Sequence, residues 1–173
     1  VLSHETDENV PMKEGRDMYW SEFLAKGEGF SSDYVAMESN EPLFLLPTSG
    51  TTAKPKVTVQ NHGGYQVYCY SAGKWIFDLR ADDIWFCTSD IGWLVGHSYS
   101  IYGPLLVGCT SILYEGTPDY PRPDMWWDII ERNRATGMFT SPTGIRSLMR
   151  AGIEYPRNQN VIIINCITTP GLI

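Results

Sequence analysis

Short runs of β-branched, aliphatic and aromatic residues recur along the chain with helix-like stretches between them, and this alternation constrains the fold more than any other feature. The runs are 43–46, 84–88, 110–114, 137–140 and 161–164. Helical patterns over 63–77, 97–107, 124–131 and 142–149 separate them, with a Pro-rich break at 117–123 that regular structure does not accommodate. Strands alternating with helices at this spacing predict βαβ units: an α/β fold with a partly parallel sheet flanked by helices. The 161–164 run is continuous and apolar, as in a central strand buried on both faces. The chain stops nine residues later, so the domain is expected to be an incomplete piece of a larger one.

Local signals refine this outline. Asp124 stands where a helix N-cap belongs, and Pro142 fits the first turn of the helix after it. Residues 56–60 alternate as the return strand of a hairpin begun by 43–46. Upstream, Asp17 to Leu24 carries apolar residues at helical spacing, a short amphipathic helix. The expected division is an N-terminal extension over 1–40 and a partial α/β nucleotide- and acyl-binding subdomain over 41–173.

At 173 residues the chain suffices for one proper core but not for a large two-domain enzyme. A formal charge of −7 argues against nucleic acid, which requires a basic face. No apolar stretch reaches the length of a membrane span, and the polar, acidic start is no secretory signal. Cys69, Cys87, Cys109 and Cys166 are widely spaced without a C-x-x-C pair, which favours buried thiols in a reducing, cytoplasmic compartment over a disulfide framework or a metal site. No metal ligand set is expected, and small molecules are the expected partners. An uncovered sheet edge or apolar face would favour self-association.

The chemistry-bearing stretch is LFLLPTSGTTAKPK, residues 43–56. An apolar strand opens into a loop of hydroxyls, one glycine and two lysines: Thr48, Ser49, Gly50, Thr51, Thr52, Lys54 and Lys56. Hydroxyl donors, a glycine that admits backbone N–H groups and two cations together suit a phosphate chain. It is not a Walker A loop, and residues of these types are also ordinary turn formers. A second stretch, Gly92-Trp93-Leu94-Val95-Gly96-His97, joins a bulky indole to a lone histidine. A lone Trp is more often core than pocket, and a lone histidine is more often a packed, hydrogen-bonded residue than a proton shuttle.

TSGTTAKPK closely resembles the Thr/Ser/Gly-rich phosphate loop of the adenylate-forming enzymes, usually written TSGSTGKPKG. With EGRDMYW, DIWFCTSDIGWLVGHSYSIYGPLLVGCTSILYEGTPDYP and SPTGIRSLM in order, residues 12–152 resemble the large N-terminal domain of AMP-forming acetyl-CoA or short-chain acyl-CoA synthetases. The resemblance implies ATP, Mg2+ and CoA as reactants. It places the loop on the ATP phosphates and residues 93–97 beside the acyl group, with no residue here in a covalent catalytic role. Ala53 and Val57 stand where that family has glycines, implying weaker or altered nucleotide binding. Val95 and Asp119 stand where the family carries CoA-contacting threonine and asparagine, which removes or inverts a polar contact. The chain ends before the family's adenine-binding stretch, ribose-binding aspartate and mobile C-terminal domain. An AMP-forming acyl-CoA ligase fragment inactive alone is therefore expected. The alternative is a non-catalytic remnant that binds a nucleotide or a protein.

Overall fold

A computed structural model describes residues 11–48, 56–152, 154–157 and 165–168. The backbone divides into two compact units, 1–36 and 37–173. In the first, α1 (Trp20–Ala25) is a short helix with no buried residue. It starts three residues later than the apolar spacing suggests, where Glu22 turns its carboxylate back to the Tyr19 backbone N–H at 3.0 Å. Trp20 and Phe23 stack at 5.3 Å between centroids, one turn apart on the same face.

The second unit begins with a hairpin. β1 (Pro42–Thr48) and β2 (Lys56–Asn61) pair antiparallel, Leu45 opposite Val59 and Thr48 opposite Lys56. Their alternation turns Phe44 and Leu46 inward and leaves Leu45, Val57 and Val59 more than half exposed.

The rest is an α/β layer. β3 (Ile84–Cys87), β4 (Thr110–Ile112), β5 (Gly137–Thr140) and β6 (Asn165–Thr168) form a parallel sheet in the order β4-β3-β5-β6. Because β3 is central, its side chains are buried on both faces. Phe86 and Met138 point to one side, where they pack with Trp126, Ile129, Ile130 and Leu148. Trp85, Cys87 and Phe139 point to the other, against Phe77, Leu79 and Cys109. Adjacent residues of one strand thus build two different cores. β6 lies beyond the 161–164 run that the sequence suggests as the last strand, and 161–164 fall outside the described residues.

Two regular helices cover the first face. α5 (Met125–Asn133) ends at Arg134, whose positive φ of 54° lets Ala135 N–H bond back to Ile130 O. Asp124 occupies its N-cap position but makes no side-chain cap; its carboxylate pairs instead with Arg122 at 2.9 Å. α6 (Pro142–Ala151) is capped as Pro142 suggests, with Ser141 Oγ accepting from Gly144 N–H at 3.1 Å. The short α7 (Glu154–Arg157) follows.

The second face is covered by interrupted helices. α2 (His62–Ser71), capped by Asn61, runs into a π-helical turn at Ala72–Ile76. α3 (Leu94–Gly96) opens three residues ahead of the expected helix, passes through a second π turn at His97–Tyr102 and continues as α4 (Gly103–Val107). Gly108, at φ 88°, ends α4 in the left-handed region. No helix among the described residues is long and apolar enough to cross a membrane.

Candidate functional site

The carboxyl end of a parallel sheet is where α/β folds hold ligands, because connections there leave in opposite directions and open a crevice. Here the chain leaves β3 toward β4 on one side, and β5 lies on the other. Above these strand ends lies a cleft of about 570 Å³, lined by residues 87–91, Ser100 and residues 113–116. Its edge toward β5 is held by Thr88, whose hydroxyl meets Thr140 Oγ1 at 2.7 Å and whose N–H bonds to Phe139 O at 3.0 Å.

Asp90 links this cleft to the Trp93–His97 segment. Its Oδ1 accepts from Gly92 N–H at 2.6 Å and its carbonyl from Trp93 N–H at 3.1 Å, which folds the chain back on itself. α3 then packs so closely that a Cβ on Gly96 would sit 2.0 Å from Asp90 O, so only glycine fits there. Trp93 is 59% exposed, which removes it from the core, whereas Trp85 and Trp126 are buried. Val95 packs against the second-face core beside Tyr99 and Val107. Asp119 is exposed in the loop before the cis Tyr120–Pro121 bond.

His97 is half-buried and meets Phe44 edge-on at 5.3 Å. Phe44 in turn meets Tyr65 at 5.0 Å, and Tyr65 meets Tyr102 at 5.4 Å. A line of aromatic contacts therefore ties the Trp93–His97 segment to β1, the strand that leads into the Thr48–Lys56 loop. From Phe44 to Thr48 is four strand residues, about 13 Å. Of the loop itself, Thr48 and Lys56 are described, and face each other across the mouth of the hairpin. Ser49, Gly50, Thr51, Thr52, Ala53 and Lys54 lie outside the described residues.

Hydroxyls and thiols crowd the same side of the sheet. Tyr65 Oη lies 2.9 Å from Ser98 Oγ, Tyr68 Oη 2.6 Å from Tyr99 Oη, and Trp85 Nε1 donates to Tyr99 O at 2.7 Å. Burial raises the pKa values of Tyr65, Tyr99, Cys69, Cys87 and Cys109 above their ordinary ones, so these groups are held neutral. The three thiols are free and buried. Sequence reasoning passes over the cleft and Ser100, since a serine inside a helical pattern carries no signal of what it faces. Arg16 pairs with Asp17 at 2.7 Å.

Comparison with known proteins bears on the family of the chain. The family model for AMP-binding enzymes matches residues 3–162. Acetyl-coenzyme A synthetase of Pyrobaculum aerophilum is 49% identical over 94% of this chain and 24% of its own length. The enzymes of that name from Rubrobacter xylanophilus and Chlorobaculum tepidum are 45% and 42% identical, over 88% and 96% of this chain. The chain spans about a quarter of the length of these curated relatives. With the motifs, the parallel sheet and this match in hand, the chain belongs to the AMP-binding enzyme family.

Proposed function

We propose that the chain carries the phosphate- and acyl-binding part of an AMP-forming short-chain acyl-CoA synthetase, which acts on acetate or propionate with ATP and CoA in the cytoplasm. The observation that carries this reading is the contact of His97 with Phe44. It couples the acyl-side segment to the strand feeding the phosphate loop, as a reaction between a carboxylate and a nucleotide phosphate requires. The three free, buried thiols support a reducing compartment.

The roles follow from the chemistry. A carboxylate oxygen of the acid attacks the α-phosphorus, the bond to the β,γ-phosphates breaks, and acyl-adenylate and pyrophosphate form. The CoA thiolate then attacks the acyl carbonyl, and AMP leaves with the electrons of the mixed-anhydride bond. Positioning and charge neutralisation supply most of the help such a transfer needs. Thr48, Ser49, Gly50, Thr51, Thr52, Lys54 and Lys56 hold the leaving β,γ-phosphates through hydroxyls, backbone N–H groups and two ammonium groups. Trp93 with Leu94, Val95, Gly96 and His97 walls the acyl side, the exposed indole limiting chain length. Val95 and Asp119 lie toward CoA and offer it fewer neutral polar contacts than the threonine and asparagine of the family pattern. Among the described residues no three His, Cys, Asp or Glu side chains gather as metal ligands. Magnesium enters this reading with the nucleotide, as the resemblance to AMP-forming synthetases implies.

The exposed Leu45, Val57 and Val59 support association of chains through the hairpin, which sedimentation at increasing concentration would reveal. For the main reading, a thermal titration with magnesium-ATP is decisive. A nucleotide at a hundredfold excess over Kd stabilises the chain by about 2.7 kcal/mol, and Lys54→Ala abolishes the shift. Exchange of labelled pyrophosphate into ATP with acetate or propionate then tests adenylation. A melt unmoved by ATP would leave a remnant without the site.

A further inference from the structure

The Trp93 indole takes its direction from a residue three positions before it. Trp93 stands in extended backbone at the start of α3, φ −117° and ψ 151°. Both of its main-chain polar groups are engaged: its N–H bonds to Asp90 O at 3.1 Å, and its carbonyl accepts from His97 N–H at 3.0 Å. The side chain is 59% exposed, so packing does little to aim it. The backbone that carries it therefore decides where the ring points.

Asp90 holds that backbone twice. Its carbonyl closes the turn on Trp93 N–H, and its carboxylate Oδ1 accepts from Gly92 N–H at 2.6 Å, a charge-assisted bond. Both glycines of the segment leave room for this residue. A Cβ on Gly92 would crowd Asp90 Oδ1 at 3.1 Å, and one on Gly96 would meet Asp90 O at 2.0 Å. Among the described residues no cation pairs with Asp90, so the group its carboxylate orders is the Gly92 N–H.

We propose that Asp90 is a positioning residue: by holding Gly92 N–H it fixes the Trp93 indole, and so sets the length of acyl chain that residues 93–97 admit. This rests on the reading of those residues as the acyl wall, and it requires no contact between Asp90 and the acid. An indole released to other rotamers no longer presents a stop at one depth.

NMR of the chain labelled with nitrogen-15 at tryptophan tests it, with Trp93→Phe identifying the Trp93 indole N–H signal. In the free chain, Asp90→Ala is expected to move that signal and lower its heteronuclear NOE, while the signals of the buried Trp85 and Trp126 stay in place. Acetate, propionate and butyrate are then titrated with magnesium-ATP present. The ratio of propionate to butyrate affinity is the quantity read, because losing a charge at Asp90 acts alike on all three acids. The native chain should bind butyrate about tenfold more weakly than propionate, and Asp90→Ala should cut that ratio to about threefold or less. Asp90→Asn, whose side-chain oxygen still accepts from Gly92 N–H, should keep the native ratio. The assignment is overturned by an unmoved Trp93 signal or a native ratio in Asp90→Ala, or by Asp90→Asn behaving as Asp90→Ala does. Displaced Trp85 and Trp126 signals in Asp90→Ala would reduce Asp90 to a purely structural role and overturn it too. If no acid moves the Trp93 signal of the native chain, the acyl-wall reading fails and the length setting with it, and the free-chain comparison still decides whether Asp90 holds the indole.

Discussion

The two faces of the β3–β5 sheet are built from neighbouring residues and differ in kind. On the α5/α6 side, Phe86 and Met138 meet aliphatic and indole side chains under two uninterrupted, amphipathic helices. On the other, Trp85, Cys87 and Phe139 meet aromatic rings, thiols and hydroxyls under helices twice widened into π turns. π turns are frequent at functional sites because an extra residue re-aims the side chains that follow. Here the turn at His97–Tyr102 brings His97 to Phe44, Ser98 to Tyr65 and Ser100 to the cleft. Aromatic rings, thiols and hydroxyls collect where the helical ladder is irregular, and the regular face packs aliphatic and indole side chains.

Breaking the regular face should cost the most stability. Phe86→Ala empties a fully buried site against Trp126, with an expected loss of about 3–5 kcal/mol in denaturant unfolding. A loss under about 1 kcal/mol would mean that this core is not tightly packed. On the irregular face Gly96→Ala should cost about 1–3 kcal/mol, since the new methyl group displaces Asp90 O. It should also disturb NMR signals around residues 87–91, whereas Phe86→Ala acts on the whole fold.

Helix caps compare the faces on equal terms. Ser141→Ala and Asn61→Ala each remove a side-chain acceptor, from Gly144 and Gly64 N–H respectively, and each should cost about 1 kcal/mol. A much smaller loss at Asn61 would show that the broken helix is held by its aromatic contacts rather than by its cap.

The smallest and most diagnostic effect is with pH. The buried phenols and thiols of the irregular side have folded pKa values above their unfolded ones, chiefly through desolvation. Their contribution is complete below the unfolded thiol value of about 8.5, and is lost as pH rises through the thiol and phenol range. The melting temperature should therefore fall progressively above pH of about 8.5. Cys69→Ala with Cys109→Ala should flatten the first part of that fall, and an unchanged slope would remove the thiols from the account.

Much of this was legible in the chain itself. Strand positions at 84–87, 110–112 and 137–140, the hairpin, and the helix after Pro142 follow from period-2 and helical patterns that depend only on local sequence. The family was legible too, because its motifs are contiguous. What the pattern misplaced shows the limit. Asp124 looks like a cap, but its carboxylate is drawn to Arg122, a competition set by a neighbour's reach. The helix expected from His97 starts at Leu94, because Asp90 folds the preceding turn back and fixes where it can begin.

The sequence by itself determined the α/β alternation, the family and the residue types of the loop and the Trp93–His97 segment, since these depend on local propensity and contiguous motifs. Tertiary structure alone decided that Trp85 and Trp126 are buried while Trp93 faces solvent, that His97 meets Phe44 53 positions before it, and that Ser100 lies beside a cleft. The physical reason is that burial and contact are properties of packed surfaces. They arise when strands distant in the chain share a sheet, and no local pattern specifies which atoms then meet.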